Sequence, residues 1–182
     1  MTEILLLCTA NVCRSVMAQA MLSARLSARG ISPRVASAGL LADGMKPPPE
    51  VISVMAARGI DVTRHRSRLV TADDLADADL ILGLAREHVR HATVLLPAAW
   101  PRSFTLRELL RRGHEAGPRS PREPLGDWLT RASLDRGRRD LLGSSRADDV
   151  ADPAGGPPHG YLATAGLLDQ LTRDLVELCL PS

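Results

Sequence analysis

Leu5-Leu6-Leu7-Cys8-Thr9-Ala10-Asn11-Val12-Cys13-Arg14-Ser15 is the stretch whose reading decides the fold. The apolar run over residues 4–7 predicts a buried strand, and Ser15 has the character of a helix N-cap ahead of Val16-Met17-Ala18-Gln19-Ala20-Met21-Leu22. The link between strand and helix opens on Cys8 and closes on Arg14. Such a link turns backbone N–H groups inward and feels the positive end of the helix dipole, so it favours an anion. Arg14 adds a planar fork of donors matched to a tetrahedral oxyanion. The same field favours Cys8 as thiolate, and a thiolate facing a bound phosphate is a nucleophile aimed at phosphorus. Thr9, Ala10, Asn11, Val12, Cys13, Arg14 and Ser15 are the expected phosphate-binding residues.

Outward from this corner the pattern alternates. The first helix carries Met17, Met21, Leu22 and Leu26 on one face and stops at Gly30, a C′ glycine. Residues 34–38 predict a second strand ended by Gly39. Pro47-Pro48-Pro49 opens the next helix. Thr71-Ala72-Asp73-Asp74 and Thr105-Leu106-Arg107-Glu108 both read as capping boxes. Residues 79–84 predict a third strand and Thr93-Val94-Leu95-Leu96 a fourth. In the last helix Tyr161, Ala165, Leu168, Leu171, Leu175 and Cys179 recur at helical spacing. Strands alternating with helices imply βαβ units, a parallel sheet and helices on both faces. A phosphate-sized ligand then belongs at the C-terminal ends of the strands, where Cys8 falls.

A cysteine, five residues, then Arg14-Ser15, with Asn11 and Cys13 in the loop, resembles the low-molecular-weight protein-tyrosine-phosphatase family. The resemblance runs over most of the chain and is weakest between about 112 and 149. It implies a three-layer, doubly wound, four-stranded parallel sheet of the flavodoxin-like type. It also implies hydrolysis of phosphotyrosine or a similar aryl phosphate through a phosphocysteine on Cys8. Val150-Ala151-Asp152-Pro153 looks like the family's Asp-Pro loop, so the resemblance makes Asp152 the general acid and later the base. It further implies that Ser15 supports the thiolate and that Asn11 bonds Ser37 of Ser37-Ala38-Gly39. His65 of His65-Arg66-Ser67-Arg68 joins that support, and Cys13 is the redox partner of Cys8.

Departures stand out. Ala10 occupies a usual glycine position, where a positive φ would cost an alanine roughly 1–2 kcal/mol. Leu40-Leu41 and Ala154 replace the aromatic residues that commonly grip a phosphotyrosine ring. Val12 stands where phosphoarginine-directed members tend to carry threonine.

The chain has 182 residues, 45% hydrophobic and 24% charged, which suits one phosphatase domain with a helical or loop insertion at about 114–149. Leu125, Trp128, Leu129 and Ala132 suggest an amphipathic helix inside that insertion. A net charge of +2 gives no argument for nucleic acid. Three cysteines provide no disulfide framework, and a working thiolate suits a reducing cytoplasm. The N-terminus has no signal-peptide pattern and the chain no 18-residue apolar run, so no membrane span is expected. His88, His91, His114 and His159 have no ligand spacing with a cysteine, so neither a metal site nor a cofactor is expected. Asp148 and Asp149 read as solvated loop residues. The expected partner is a phosphorylated protein or a small aryl phosphate. Two competitors remain at this point. An arsenate reductase on the same fold would need two further cysteines near the third strand, and residues 83–91 contain none. A non-catalytic phosphopeptide module would have lost the nucleophile or the acid.

Overall fold

Alternate residues of β1 (Glu3–Cys8) point into two different apolar clusters. Ile4, Leu6 and Cys8 face one, Leu5 and Leu7 the other. A strand buried on both faces must lie inside a sheet with helices above and below. The structure is a computed structural model that describes residues 2–31, 34–41 and 43–180.

In chain order the elements are β1, α1 (Arg14–Ala28), β2 (Arg34–Gly39), α2 (Pro49–Ala56), α3 (Ala72–Asp77), β3 (Leu80–Gly83), α4 (Arg86–Leu95), β4 (Ser103–Thr105), α5 (Leu106–Ala116), α6 (Leu125–Ala132) and α7 (Pro158–Cys179). The strands pair in parallel in the order β2-β1-β3-β4. Helices α1, α2, α5, α6 and α7 cover one face, and α3 and α4 contribute to the other. This is a three-layer, doubly wound α/β fold.

Local chemistry accounts for the element ends. Gly30 takes φ +68° just past α1, and Pro49 opens α2 in the first-turn position that needs no N–H. Thr71 and Thr105 each accept from the backbone N–H three residues on, with Asp74 and Glu108 closing the boxes.

Two expectations are corrected. Thr93-Val94-Leu95-Leu96 is not a strand. Its first three residues close α4, whose inward side is His88, Val89 and Ala92, while Val94 is 82% exposed. The fourth strand is Ser103–Thr105, three fully buried residues between the turn at 97–102 and the α5 capping box. Ser15 is not the N-cap of α1. The helix begins at Arg14, so Ser15 sits inside its first turn with its hydroxyl directed elsewhere.

Residues 117–149 hold α6, a short 3-10 turn at 138–141 and irregular chain. Arginines of this strap and of the flanking helices fasten it. Arg136 is stacked 3.8 Å over Trp100 and 4.1 Å over Phe104, with its guanidinium on Glu108 at 2.7 Å. Arg112 bonds the Leu134 carbonyl, and Arg90 bonds those of Leu141 and Gly143.

Candidate active site

Cys8 ends β1 where the strand order turns back, with β2 on one side and β3 on the other. Crevices at such switch points receive ligands in open α/β sheets. The loop from Thr9 to Cys13 closes under the first turn of α1, and Asn11 locks it. Asn11 takes φ +53°, a region asparagine tolerates. Its Nδ2 donates to Ser15 Oγ and to Ser37 Oγ, both at 2.8 Å, and its Oδ1 accepts from the Arg68 N–H at 3.1 Å. Its own N–H donates to Cys8 Sγ at 3.2 Å. Its carbonyl accepts from His65 Nε2 at 2.8 Å, so that nitrogen carries the proton. Burial, set against this hydrogen bond, holds the His65 pKa below its ordinary value.

Because Asn11 Nδ2 already donates to Ser15 Oγ, the Ser15 proton is free for Cys8 Sγ, 3.0 Å away. Two donors therefore converge on the sulfur. Gly39 makes the close approach of β2 possible: a Cβ there would meet the Asn11 nitrogen at 2.9 Å. The usual-glycine position at Ala10 is harmless, because among the described non-glycine residues only Asn11 and Asp135 take positive φ.

Arg14 is 4% exposed. Its Nη1 donates to the Val150 carbonyl at 3.1 Å, and its Nη2 to Thr9 Oγ1 at 3.0 Å and Asp152 Oδ2 at 2.6 Å. Its Nε is buried without a protein partner. A buried guanidinium N–H left over at the rim of an N–H-rich loop is a donor for an incoming oxyanion. Asp152, 138 residues away in sequence, is 42% exposed at its side chain and also accepts from the Ala154 N–H at 3.1 Å. Pro153 behind it is buried, and Tyr161 on α7 accepts from the Gly155 N–H at 3.3 Å.

The chain just before Asp152 is clamped. Asp148 Oδ2 takes Arg86 Nη2 at 2.7 Å and Nε at 3.0 Å, and its Oδ1 takes Arg111 Nη2 at 3.1 Å. Asp149 Oδ1 accepts from the first N–H of α4, and the Val150 N–H donates to the Leu84 carbonyl at 2.8 Å. Asp148 is 4% exposed, so it is not the solvated residue its sequence suggests. Burial pushes its pKa up, but the bonds from Arg86 and Arg111 outweigh that and leave it below the ordinary value. Asp149 is likewise occupied in hydrogen bonding, half-buried at the α4 N-terminus.

Cys13 is buried, and burial, then the negative charge of Asp152 and Cys8, pushes its thiol up to about 12. Burial does the same to Cys179, which lies in the core on α7. Of the aromatic residues, Phe104, Trp128 and Tyr161 are buried and Trp100 lies under Arg136. Leu40 and Arg68 bond the loop at Thr9 and Asn11, and the residues that follow them, Leu41 and Leu69, are exposed aliphatic groups. A cavity of about 280 Å³ opens beside Arg14 and Asp152, with Glu87, Arg90 and Ser144 in its wall. A larger one, about 860 Å³, lies at the opposite ends of the strands around Thr2, Asp79 and Arg102, and no cysteine lines it. Among the described residues no group of three or more His, Cys, Asp or Glu is placed to hold a metal ion, and no helix is long and apolar enough to cross a membrane.

Sequence reasoning missed His88, which is fully buried and 3.1 Å from Thr9 Oγ1, and Gln19, whose Oε1 accepts from Ser37 Oγ at 2.5 Å. The signal for His88 was present: His88, Val89 and Ala92 fall on one helical face, which reading 93–96 as a strand obscured.

The family model described as "Low molecular weight phosphotyrosine protein phosphatase" matches residues 3–116. It covers the loop, Ser37, His65 and His88, and ends before Asp152. The chain is 46% identical over 80 residues to the "Probable low molecular weight protein-tyrosine-phosphatase EpsP" of Ralstonia nicotianae, a match covering 43% of this chain and 52% of that protein. It thus spans about half the length of that curated relative. It is 25% identical over 176 residues to the "Protein-arginine-phosphatase" of Bacillus subtilis, covering 96% of this chain and 95% of that one. The crystal structure of a low molecular weight protein tyrosine phosphatase from T. tengcongensis superposes with a TM-score of 0.74 at 28% identity, covering 97% of this chain and 99% of that chain.

Proposed function

Since the chain belongs to the low molecular weight phosphotyrosine protein phosphatase family, we propose that it hydrolyses phosphotyrosine, or a similar aryl phosphate, on a phosphorylated protein. The observation that carries this reading is the 2.6 Å contact between Arg14 and Asp152. It supports the reading because it sets the Asp152 carboxyl, the proton donor proposed here, beside Arg14, 138 residues away in sequence. Cys8 Sγ attacks phosphorus while the Asp152 carboxyl gives its proton to the leaving phenolic oxygen. The phosphocysteine is then hydrolysed by a water whose proton Asp152 takes back. Arg14 holds the non-bridging oxygens through Nε and the Nη2 hydrogen that Asp152 gives up, and the backbone N–H groups of the loop other than that of Asn11, which stays on the sulfur, take the rest. The Ser15 hydroxyl and Asn11 N–H stabilise the departing sulfur, with Ser37 and His65 fixing Asn11. Residues 1–182 act as one phosphatase domain, with 114–149 as an insertion, in a reducing cytoplasm.

Two observations favour a phosphoramidate such as phosphoarginine as the second reading. The relative matched over nearly its whole length is named for that activity, and the mouth exposes aliphatic rather than aromatic side chains. Val12 argues the other way. An arsenate reductase is disfavoured, because the one cysteine outside the loop is sealed in α7.

Steady-state kinetics on aryl, alkyl and amidate phosphates test the proposal. Turnover is expected to be fastest with aryl esters, absent in Cys8→Ser, and lost in Arg14→Lys, whose point charge lacks the fork. Preference for the amidate would select the second reading. Substantial turnover by Cys8→Ser would refute the covalent mechanism.

A further inference from the structure

His88 is fully buried and has no part in the chemistry above. Its two ring nitrogens face different tasks. Nδ1 accepts from the Ala85 N–H at 2.9 Å, so it carries no proton, and the ring proton is on Nε2. Burial keeps the ring neutral, its pKa pushed down to about 3, with the positive charges of Arg14 and Arg90 acting in the same direction. Nε2 lies 3.1 Å from Thr9 Oγ1, its hydrogen-bond partner, and 3.3 Å from Glu87 Oε1.

The Thr9 hydroxyl has one proton and two lone pairs. Arg14 Nη2 donates to it at 3.0 Å, and it lies 3.2 Å from Glu87 Oε1, which can only accept. The Thr9 proton therefore goes to Glu87, and its lone pairs receive Arg14 and His88. Every valence of the hydroxyl is used and its rotation is fixed.

The two residues meet because β1 and β3 are neighbours at the reversal of strand order. Thr9 follows the end of β1, and His88 sits in the first turn of the helix after β3. Gly83 permits the approach: a Cβ there would lie 2.8 Å from Val89 Cγ2 and 3.1 Å from His88 Cβ.

We propose that His88 is a positioning residue for the oxyanion site: its Nε2–H orients the Thr9 hydroxyl, and Thr9 in turn holds the Arg14 guanidinium in the plane that receives the phosphate oxygens. The inference rests on the phosphatase reading of the Cys8 loop. His88 also caps α4 through Nδ1, and the two tasks are separable. An asparagine amide oxygen reaches the Nδ1 position and keeps the cap. A glutamine amide nitrogen reaches the Nε2 position and keeps the donor to Thr9.

The test is carried out on the full chain with para-nitrophenyl phosphate as substrate and inorganic phosphate as competitive inhibitor. His88→Asn should keep a near-wild-type melting temperature, yet raise KM and the phosphate inhibition constant about tenfold, as loss of one bond supporting a charged group implies. His88→Gln should recover most of that loss. Thr9→Val should lose as much as His88→Asn, and the double variant should be no worse than Thr9→Val alone. Multiplicative losses in the double variant would overturn the proposal, as would an unchanged phosphate constant in His88→Asn. Failure of the phosphatase reading is seen separately, as absence of turnover by the wild-type protein. In that event, calorimetric titration of inorganic phosphate into Cys8→Ser, with and without His88→Asn, still decides: weaker binding with the second change supports the inference, and equal or absent binding refutes it.

Discussion

Replacing Asp148 by asparagine should damage the site without touching a group that meets substrate. The carboxylate accepts three hydrogen bonds, two from Arg86 and one from Arg111, and is itself 4% exposed. Breaking a fully buried ion pair typically costs about 3–5 kcal/mol. Here water can reach the cations in part, since the Arg111 side chain is 48% exposed and that of Arg86 20%. Asparagine also keeps one acceptor. A cost of about 2 kcal/mol follows, which for a chain of this size lowers the melting temperature by about 4–8 °C. The Asp148 pKa lies below its ordinary 3.8, so this stabilisation is present above that pH and fades only as pH falls through the folded value. The assay therefore belongs at neutral pH. The catalytic consequence is more specific. Asp148 fixes the chain four residues before Asp152, and displacing a reacting group by an ångström can cost about 100-fold. Turnover of phenyl phosphate, whose leaving group needs a proton, should fall about 10- to 100-fold. Turnover of a strongly activated aryl phosphate should fall much less, and inhibition by inorganic phosphate should hardly change. An equal loss for every leaving group, or an unaltered melting temperature, would refute the clamp.

Asp152→Asn should show the same leaving-group dependence in full, about 10²- to 10⁴-fold with phenyl phosphate; the assignment fails if Asp149→Asn shows it instead. Mild peroxide should inactivate the enzyme, converting Cys8 to a sulfenic acid that the Cys13 thiol displaces with loss of water. Dithiothreitol should then restore activity, and peptide maps containing only Cys8 sulfinic acid would sink the idea. His88 makes stability acid-sensitive, because below about pH 6.5 the unfolded chain binds a proton that the folded ring, with its pKa near 3, refuses. Stability should decline by about 1.4 kcal/mol per pH unit below that point, and His88→Gln should lack this slope. Urea unfolding at pH 7 and pH 5 measures it, and equal differences in the two proteins would count against a neutral buried histidine.

What the sequence disclosed follows from how local each signal is. β1, the α1 apolar face, the two threonine capping boxes, Pro49, Gly30 and the α7 stripe depend on neighbours a few residues apart, and all stand where the residues place them, while the α1 start lies two residues earlier than its serine suggests. The residues 125–132 form the helix their apolar spacing suggests. Asn11, Ser37 and His65 come together through a resemblance that supplied long-range contacts no periodicity contains. The fourth strand was illegible for two physical reasons. Ser103-Phe104-Thr105 is too short to display a period, and two of its three side chains are polar though fully buried. Thr93-Val94-Leu95-Leu96 has the composition of a strand, but the burial of His88, Val89 and Ala92 on one helical face carries its first three residues into α4. Asp148 illustrates the general difficulty: it follows Ser144-Ser145-Arg146-Ala147 and precedes Asp149, a largely polar stretch, and the arginines of α4 and α5 make its burial tolerable.

The arginine fastenings of residues 117–149 have a consequence for chemical denaturation. Guanidinium ions present the same fork as the side chains that hold Leu134, Leu141, Gly143, Glu108 and Asp148, so they compete for those acceptors in a way urea does not. The sheet and its two apolar clusters offer no such foothold. At low guanidinium concentration the strap should open as its own cooperative unit, and amide exchange there should accelerate before β1 or β3 responds. The partly opened chain would keep the loop of Cys8 and Arg14 but lose the anchorage of Asp152. It would be a protein that still captures oxyanions and no longer turns them over, at a denaturant concentration where equimolar urea leaves it fully competent.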